Sequence, residues 1–550
     1  MWFPWKYILR NLAKRHGFLD PINLMARLRQ FAQPSEVAAP LELIRAGAFF
    51  HARGLVNSQA IQHNLDWVWP YWVEKQFNPR DPSFLPRSFS ATHVNLTHRN
   101  WTALGLPDTL EWPIVDPRGL VMPFYDGWSV DVWFLPEQGS PLIPSRLREA
   151  EQRIHLKHGL RITTTCVNEC GEVHLDAGVE GREDDPWCVM NILADVKQPG
   201  TVVVSLRPYN PEGISFTEKI KVDSGRRRWC VNGNKYIYFS HAPEKTVLST
   251  YKNGDVFHLL TKTDGTEEKE SCECNVGMAT AAACYSVTDR LKISLSIPLD
   301  TANIVPHDPI ISQEGNELWS RSLENGCGLR IPDERIQFLF DTAVRSLLLH
   351  SPREVYPGPY TYKRFWFRDA AFILNALLAL NFPQRVKRVL NEFPSKQTPF
   401  GYFLSQEGEW DSNGEALWIF ERFCSCTDTL PVKKWEHAVR SGAEWICRKR
   451  LKEKKKKPHS GLFPAGFSAE HFGPNDYYYW DDFWGVAGLT AAARMMKQYG
   501  DTKKAKRFER EARSFFGAIE RSLAHVQQTS GFDSIPASPY RRMDAGAIGS

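Results

Sequence analysis

The sequence predicts a multidomain β + α protein, an antiparallel β-sandwich followed by a helical array. Between about residues 158 and 304 apolar residues recur with a period of two, and beyond 305 they recur at helical spacing. Punctuation agrees: turn residues separate short strand-like runs in the first half, and long loops rich in Gly, Pro and aromatics separate the helices of the second. The expected divisions are an N-terminal helical and aromatic segment (1–78), the sandwich (79–304), a helical linker (305–332) and the helical half (333–550).

Residues 1–35 set Ile8, Leu9, Leu12 and Phe18 among basic residues, with Trp2, Phe3 and Trp5 as an anchor. This reads as an amphipathic helix that packs on its own chain, since its basic face is too short for a membrane surface. Residues 40–78 read as helix ending in the aromatic run WVWPYWVEKQFNP, and residues 79–150, broken by Pro, as ordered loop and short strand. Candidate strands follow at 160–167, 201–207, 228–231, 235–239, 245–251, 256–260 and 291–299. Asn232-Gly233 between two of them is a strong hairpin signal, because both residues tolerate positive φ. The linker is helical around Glu314–Asn325. Pro332-Asp333 then opens the helix of IQFLFDTAVRSLLLH, and further helices are expected at about 369–381, 383–393, 413–425, 433–451, 482–499 and 502–524. The run Lys454–Lys457 reads as a solvated loop.

Composition bounds the function. Hydrophobic residues at 42% and charged residues at 24% exclude wholesale disorder. Sixty-eight Lys+Arg against 63 Asp+Glu leave a net +5, which over 550 residues calls for neither nucleic acid nor an anionic membrane. No uncharged apolar run reaches the roughly 18 residues of a membrane span. The eleven cysteines form no CxxC pair or His cluster of zinc spacing and read as reduced thiols. Lys6, Arg10, Lys14 and Arg15 interrupt any signal-peptide core, so the sequons at Asn95 and Asn100 carry no weight and the cytoplasm is the expected compartment. Neither a metal nor a cofactor is called for. The unusual number is aromatic content, 12%, which supplies flat amphipathic contact surfaces.

Three loop-to-helix junctions concentrate carboxylates, Arg and Trp. TYKRFWFRDAAFILNALLAL carries Arg364, Trp366, Arg368 and Asp369; GYFLSQEGEWDSNGEALWIF carries Glu409, Trp410, Asp411 and Asn413; GLFPAGFSAEHFGPNDYYYWDDFWGVAGL carries Glu470, His471, Tyr479, Trp480, Asp481, Asp482 and Trp484. Carboxyl groups interleaved with rings suit sugar chemistry. Rings stack on pyranose faces, and a carboxylic acid against apolar rings keeps its proton and can donate it to a leaving oxygen. Arg beside Asp can fork to hydroxyls while keeping the Asp an acceptor. Each feature also has a plain structural reading: Asp369 and Asp481 fit helix N-caps, and the aromatics fit a helical core. Ser412 and Glu415 fit a capping box, which keeps Glu415 out of the site. The coincidence of three junctions on alternate helix ends favours a site. P-loop, dinucleotide and HExxH motifs are absent.

The segments YKRFWFRDAAF, EWDSNGEALW and DYYYWDDFWG resemble, in order and spacing, those of the six-hairpin glycosidases, specifically the glucoamylase and glycogen-debranching (amylo-α-1,6-glucosidase) group. The resemblance covers about 333–550 and is looser over 1–305. It implies an (α/α)6 toroid, incomplete here with about seven of twelve helices, and inverting, exo-acting removal of glucose from an α-glucan or oligosaccharide. It makes Asp481 the general acid, with Asp482 and Glu470 as further candidates in the same loop. It also implies that Arg368 and Asp369 clamp the −1 sugar, that Arg364, Trp410, Asp411, Asn413 and His471 bind beside it, and that Trp366, Tyr479, Trp480 and Trp484 supply stacking walls.

The sequence departs from the group in having no segment for the catalytic base, a Glu near the end of the barrel. The expectation that follows is a fragment of a longer enzyme, itself inactive; the alternative is a natural short form that binds glycan without hydrolysing it. A disaccharide phosphorylase, in which phosphate replaces activated water, is the other enzymatic alternative, though no anion-binding cluster of Arg, His and Gly is evident in 333–550.

Overall fold

The computed structural model describes residues 41–75, 80, 101–157, 159–211, 213–262, 268–300, 314–360, 363–453, 457–466, 475–531 and 534–540. The expected helix at 1–35, both sequons, most of the lysine run, Glu470 and His471 lie outside them. Contacts gather the chain into two units, one of Ala46–Arg364 and the other from Phe365 onward. The dividing line thus falls after Arg364, and the helix Glu334–Leu349 groups with the strands.

The first unit is built on two antiparallel sheets. One has nine strands, ordered in space as 271–273, 219–222, 228–231, 235–239, 290–298, 185–196, 171–182, 161–168 and 151–155. The other has seven, ordered as 102–103, 114–115, 121–122, 129–136, 200–207, 280–287 and 245–249. Alternation does the work: along Arg161–Asn168, Ile162, Thr164 and Cys166 are buried while their neighbours are not. The hairpin at Asn232-Gly233 forms as expected, with φ of 49° and 85° and Val231 paired to Lys235. One expected strand is a helix, Val256–Lys262. Its apolar run reads equally as a buried strand, but Asp255 accepts from the Phe257 N–H and the Thr280 hydroxyl accepts from that of Val256, which satisfies free donors of a helical first turn. The two longest strands, Gly171–Arg182 and Asp185–Val196, were not expected; acidic residues and glycines dilute their period-two signal.

Among the described residues from Phe365 onward there are six α-helices: α1 (Phe367–Ala379), α2 (Pro383–Leu390), α3 (Ser412–Thr427), α4 (Glu436–Lys449), α5 (Tyr479–Gln498) and α6 (Thr502–Ser530). Alternate helices α1, α3 and α5 lie side by side, with α4 against α3 and α5 and α6 against α5. The first three run in the same direction and in step. Phe372, Trp418 and Trp484, each five or six residues into its helix, form one ring cluster, with centroids 5.7 Å apart for Phe372–Trp484 and 5.4 Å for Trp418–Trp484. Two glycines let α3 and α5 touch. A methyl on Gly414 would lie 2.1 Å from the Trp484 carbonyl oxygen, and one on Gly488 would lie 2.6 Å from Gly414 Cα. Among the described residues no helix is long and apolar enough to cross a membrane, and all eleven cysteines are free thiols.

Candidate active site

Because α1, α3 and α5 are parallel and in step, their N-termini share one end of the unit, and the three sequence junctions are those N-termini. Ser405 accepts from the Phe367 N–H at 2.8 Å and fixes the start of α1, placing Arg368 at its second position. Tyr402 holds the loop before α3 by donating to the Gln406 and Glu409 carbonyls at 2.9 and 2.8 Å, and it stacks on Trp445 at 4.4 Å. Asp482 accepts from the Phe463 N–H at 2.8 Å and ties the loop before α5 to that helix.

The centre of the cluster is Asp411. Its buried carboxylate accepts from Arg368 Nε at 2.7 Å and from Trp480 Nε1 at 2.8 Å, so one residue from each helix start meets at one point. It sits at the cap position of α3 yet makes no cap with its side chain. Arg368 also lies 6.0 Å from the centroid of the Trp480 ring, which is 41% exposed. Asp481 is only 4% exposed and makes no hydrogen bond through its side chain. Burial, then the negative charge of Asp411, raises its pKa well above the usual carboxylate range, against the pull of Arg368. A buried carboxyl group whose pKa is raised, beside an ion pair and a partly exposed indole, is equipped to donate a proton to a bound oxygen.

Other expected site residues stand elsewhere or do other work. Asp369 is half-buried in the first turn of α1; the cap position belongs to Trp366, and Tyr478 holds it in α5, so neither Asp369 nor Asp481 is an N-cap. Asn413 is fully committed to backbone: it accepts from the Phe403 N–H and donates to the Gly401 and Gly442 carbonyls. Trp410 is buried, donates to the Pro464 carbonyl at 3.1 Å and packs against Tyr402 and Trp445. Tyr479 is buried and bonded to Ser522 at 2.7 Å, its hydroxyl pushed up to about 12 by burial, so it is part of the core and forms no stacking wall. Trp484 is half-buried beside Trp480 at 5.9 Å. Asp482, buried and engaged with Phe463, is pushed up to about 8 by burial. Arg364 is exposed and groups with the other unit.

Two further residues join the cluster, Glu415, set aside above as part of a capping box, and Glu409, named at its junction without a role. Glu415 forms no capping box: Ser412 is inside the helix and donates to the Glu409 carbonyl, while the Glu415 carboxyl lies beside Asp411, 3.9 Å from Arg368 Nε. Glu409 is buried and adds its charge to that felt by Asp481. The four-residue spacing of Asp411 and Glu415, which puts both on one helix face, is the signal that identifies Glu415.

No protein-family profile and no curated protein matches the sequence. Solved structures do. A bacterial glucoamylase complexed with acarbose superposes with a TM-score of 0.56 at 10% identity, covering 76% of this chain and 67% of that one. A putative kojibiose phosphorylase from the human microbiome covers the same shares at TM-score 0.41 and 7% identity. An α-mannosidase of family GH92 from Bacteroides thetaiotaomicron, in complex with mannoimidazole, gives 0.34 and 10%, covering 76% and 61%. The chain has the fold of the six-hairpin glycosidases, carbohydrate-active enzymes, and spans about two thirds of that glucoamylase's length.

Proposed function

We propose that the protein acts in an inverting, exo-acting glycoside hydrolysis that releases glucose from an α-glucan or oligosaccharide, with Asp481 as the general acid. The observation that carries this reading is the burial of Asp481, its pKa raised above the usual carboxylate range, beside the Arg368–Asp411–Trp480 constellation. The glucosyl ring would stack on Trp480, Arg368 and Asp369 would hold its hydroxyls, and Asp481 would protonate the glycosidic oxygen as the C–O bond breaks. Water activated by a second carboxylate, roughly 6.5–9.5 Å from the first, would add to the opposite face of C1. In the complete protein the helices would close into an (α/α)6 toroid, with α1, α3 and α5 as three of its inner helices. The free thiols accord with a reducing compartment, the cytoplasm.

The test is Asp481→Asn in the complete protein, assayed on maltose, isomaltose and trehalose. Loss of a general acid lowers kcat by roughly 10²–10⁴-fold, and binding of acarbose, the ligand of the glucoamylase, should persist. Wild-type kcat in D481N would defeat the assignment. Product analysis with and without phosphate separates hydrolysis from phosphorolysis, since only the latter yields a sugar 1-phosphate.

A further inference from the structure

Glu415 is wholly buried, and neither of its carboxyl oxygens receives a hydrogen bond. An ionised carboxylate in that position would be uncompensated, because the nearest cation, Arg368, turns its Nε–H to Asp411 at 2.7 Å and stands 3.9 Å from Glu415. Asp411, one helical turn back on the same face of α3, lies within hydrogen-bonding reach of Glu415, which can donate to it when protonated. The groups that face it are Asp411 from its own helix, Arg368 from α1 and Asp481 from α5, with Glu409 acting on Asp481 from the loop before α3. On α4, also packed on α3, Glu436 pairs with Lys433 and Glu444 with Lys504, Arg440 acts on Glu444, Arg448 donates to the Phe400 carbonyl and Lys449 lies over the Trp410 ring.

We propose that Glu415 is a positioning residue that stands protonated against Asp411, holding that carboxylate where Arg368 and Trp480 can both reach it. Burial and the Asp411 charge raise its pKa well above the usual range, in keeping with that arrangement. With Glu415 neutral, Asp411 does not share Arg368 with a second carboxylate on its own helix. Ionisation of Glu415 at alkaline pH would set a second carboxylate competing for Arg368 and pull the constellation apart. The role of Glu415 in sugar binding rests on the proposed function; its protonation does not.

Infrared difference spectroscopy of the full chain tests the proton directly. Glu415→Gln should remove a carbonyl band of a protonated carboxylic acid at neutral pH, distinct from the band removed by Asp481→Asn. If E415Q removes no such band, the proposal falls whatever the enzyme does. Acarbose affinity against pH tests the positioning. E415Q, which keeps a donor toward Asp411, should bind within a few-fold of wild type at pH 7 and hold that affinity at pH values where wild type loses it. Glu415→Leu, with no donor, should bind at least tenfold more weakly at pH 7. A purely structural Glu415 would give E415Q and wild type the same pH profile, and that outcome overturns the inference. Absence of acarbose binding by wild type, with the E415Q band difference present, would sink the proposed function and leave the buried proton standing.

Discussion

Asp481 and Asp482 are adjacent and buried, but they face different partners. Asp481 makes no side-chain hydrogen bond and feels Asp411 and Arg368, whereas Asp482 spends one oxygen on the Phe463 N–H and has the other buried without a partner. The sequence supplies both residues in one dipeptide and cannot say which faces the site; the 100° turn between helix neighbours decides it. Burial pushes Asp482 up to about 8 from an ordinary value near 3.8. The fold therefore favours its protonated form, and the associated stability is whole below about pH 4 and is lost as pH rises toward 8. Asp482→Asn keeps an oxygen for Phe463 and cannot ionise. D482N should match wild type in urea denaturation near pH 4 and exceed it by on the order of a few kcal/mol at pH 9. A difference independent of pH would show that Asp482 does not titrate across this range.

At the scale of elements, the crossing of α3 and α5 makes the site, because only a near contact brings Asp411 and Trp480 within a hydrogen bond. Gly414 and Gly488 permit it. Gly414→Ala would drive a methyl into the Trp484 carbonyl, a backbone atom that cannot swing aside, so the helices must part. Overpacking of this kind costs about 1–3 kcal/mol or more, and G414A should lose acarbose binding as well as stability. Gly517→Ala supplies the contrast: in α6 its nearest new neighbour is Arg521 Nη1 at 3.4 Å, so it should stabilise by about 0.5–1 kcal/mol through helix propensity. Thermal melts of both variants check the pair, and a neutral G414A would show that the crossing can relax. Helix existence was legible because each helix carries a 3.6-residue stripe between loops, and Asp333 caps its helix through the Arg335 and Ile336 N–H groups as its position suggested. The Ser412–Glu415 capping box fails for a local reason: the helix begins at Ser412 itself, one residue earlier than an N-cap serine requires, which frees Glu415 to turn inward.

Across the whole molecule, the order of a strand half and a helical half was legible, since period two and period 3.6 leave different marks, while the long-range pairings were not. The clearest unread pairing lies in the first unit, where Arg207 and Asp255, separated by 48 residues and fully buried, form a two-pronged ion pair. Asp255 also accepts from the Val68 N–H at 2.8 Å, and Arg207 donates to the Val68 carbonyl at 2.9 Å, so the pair fastens a distant segment to the sheet. Asp255→Asn would leave the Arg207 cation without its counter-charge, and breaking a buried pair in this way costs about 3–5 kcal/mol. Replacing both partners, as in R207M/D255L, removes the uncompensated charge and should recover part of that loss. It cannot recover all of it, because the Val68 N–H would lose its side-chain acceptor, a loss worth roughly 1–3 kcal/mol when buried, while the Val68 carbonyl keeps the Tyr209 hydroxyl as a donor. Urea midpoints of wild type, D255N and the double variant should therefore fall in the order wild type, double variant, D255N. A double variant no better than D255N would mean that the pair acts through the Val68 hydrogen bonds alone and that its charges contribute nothing of their own.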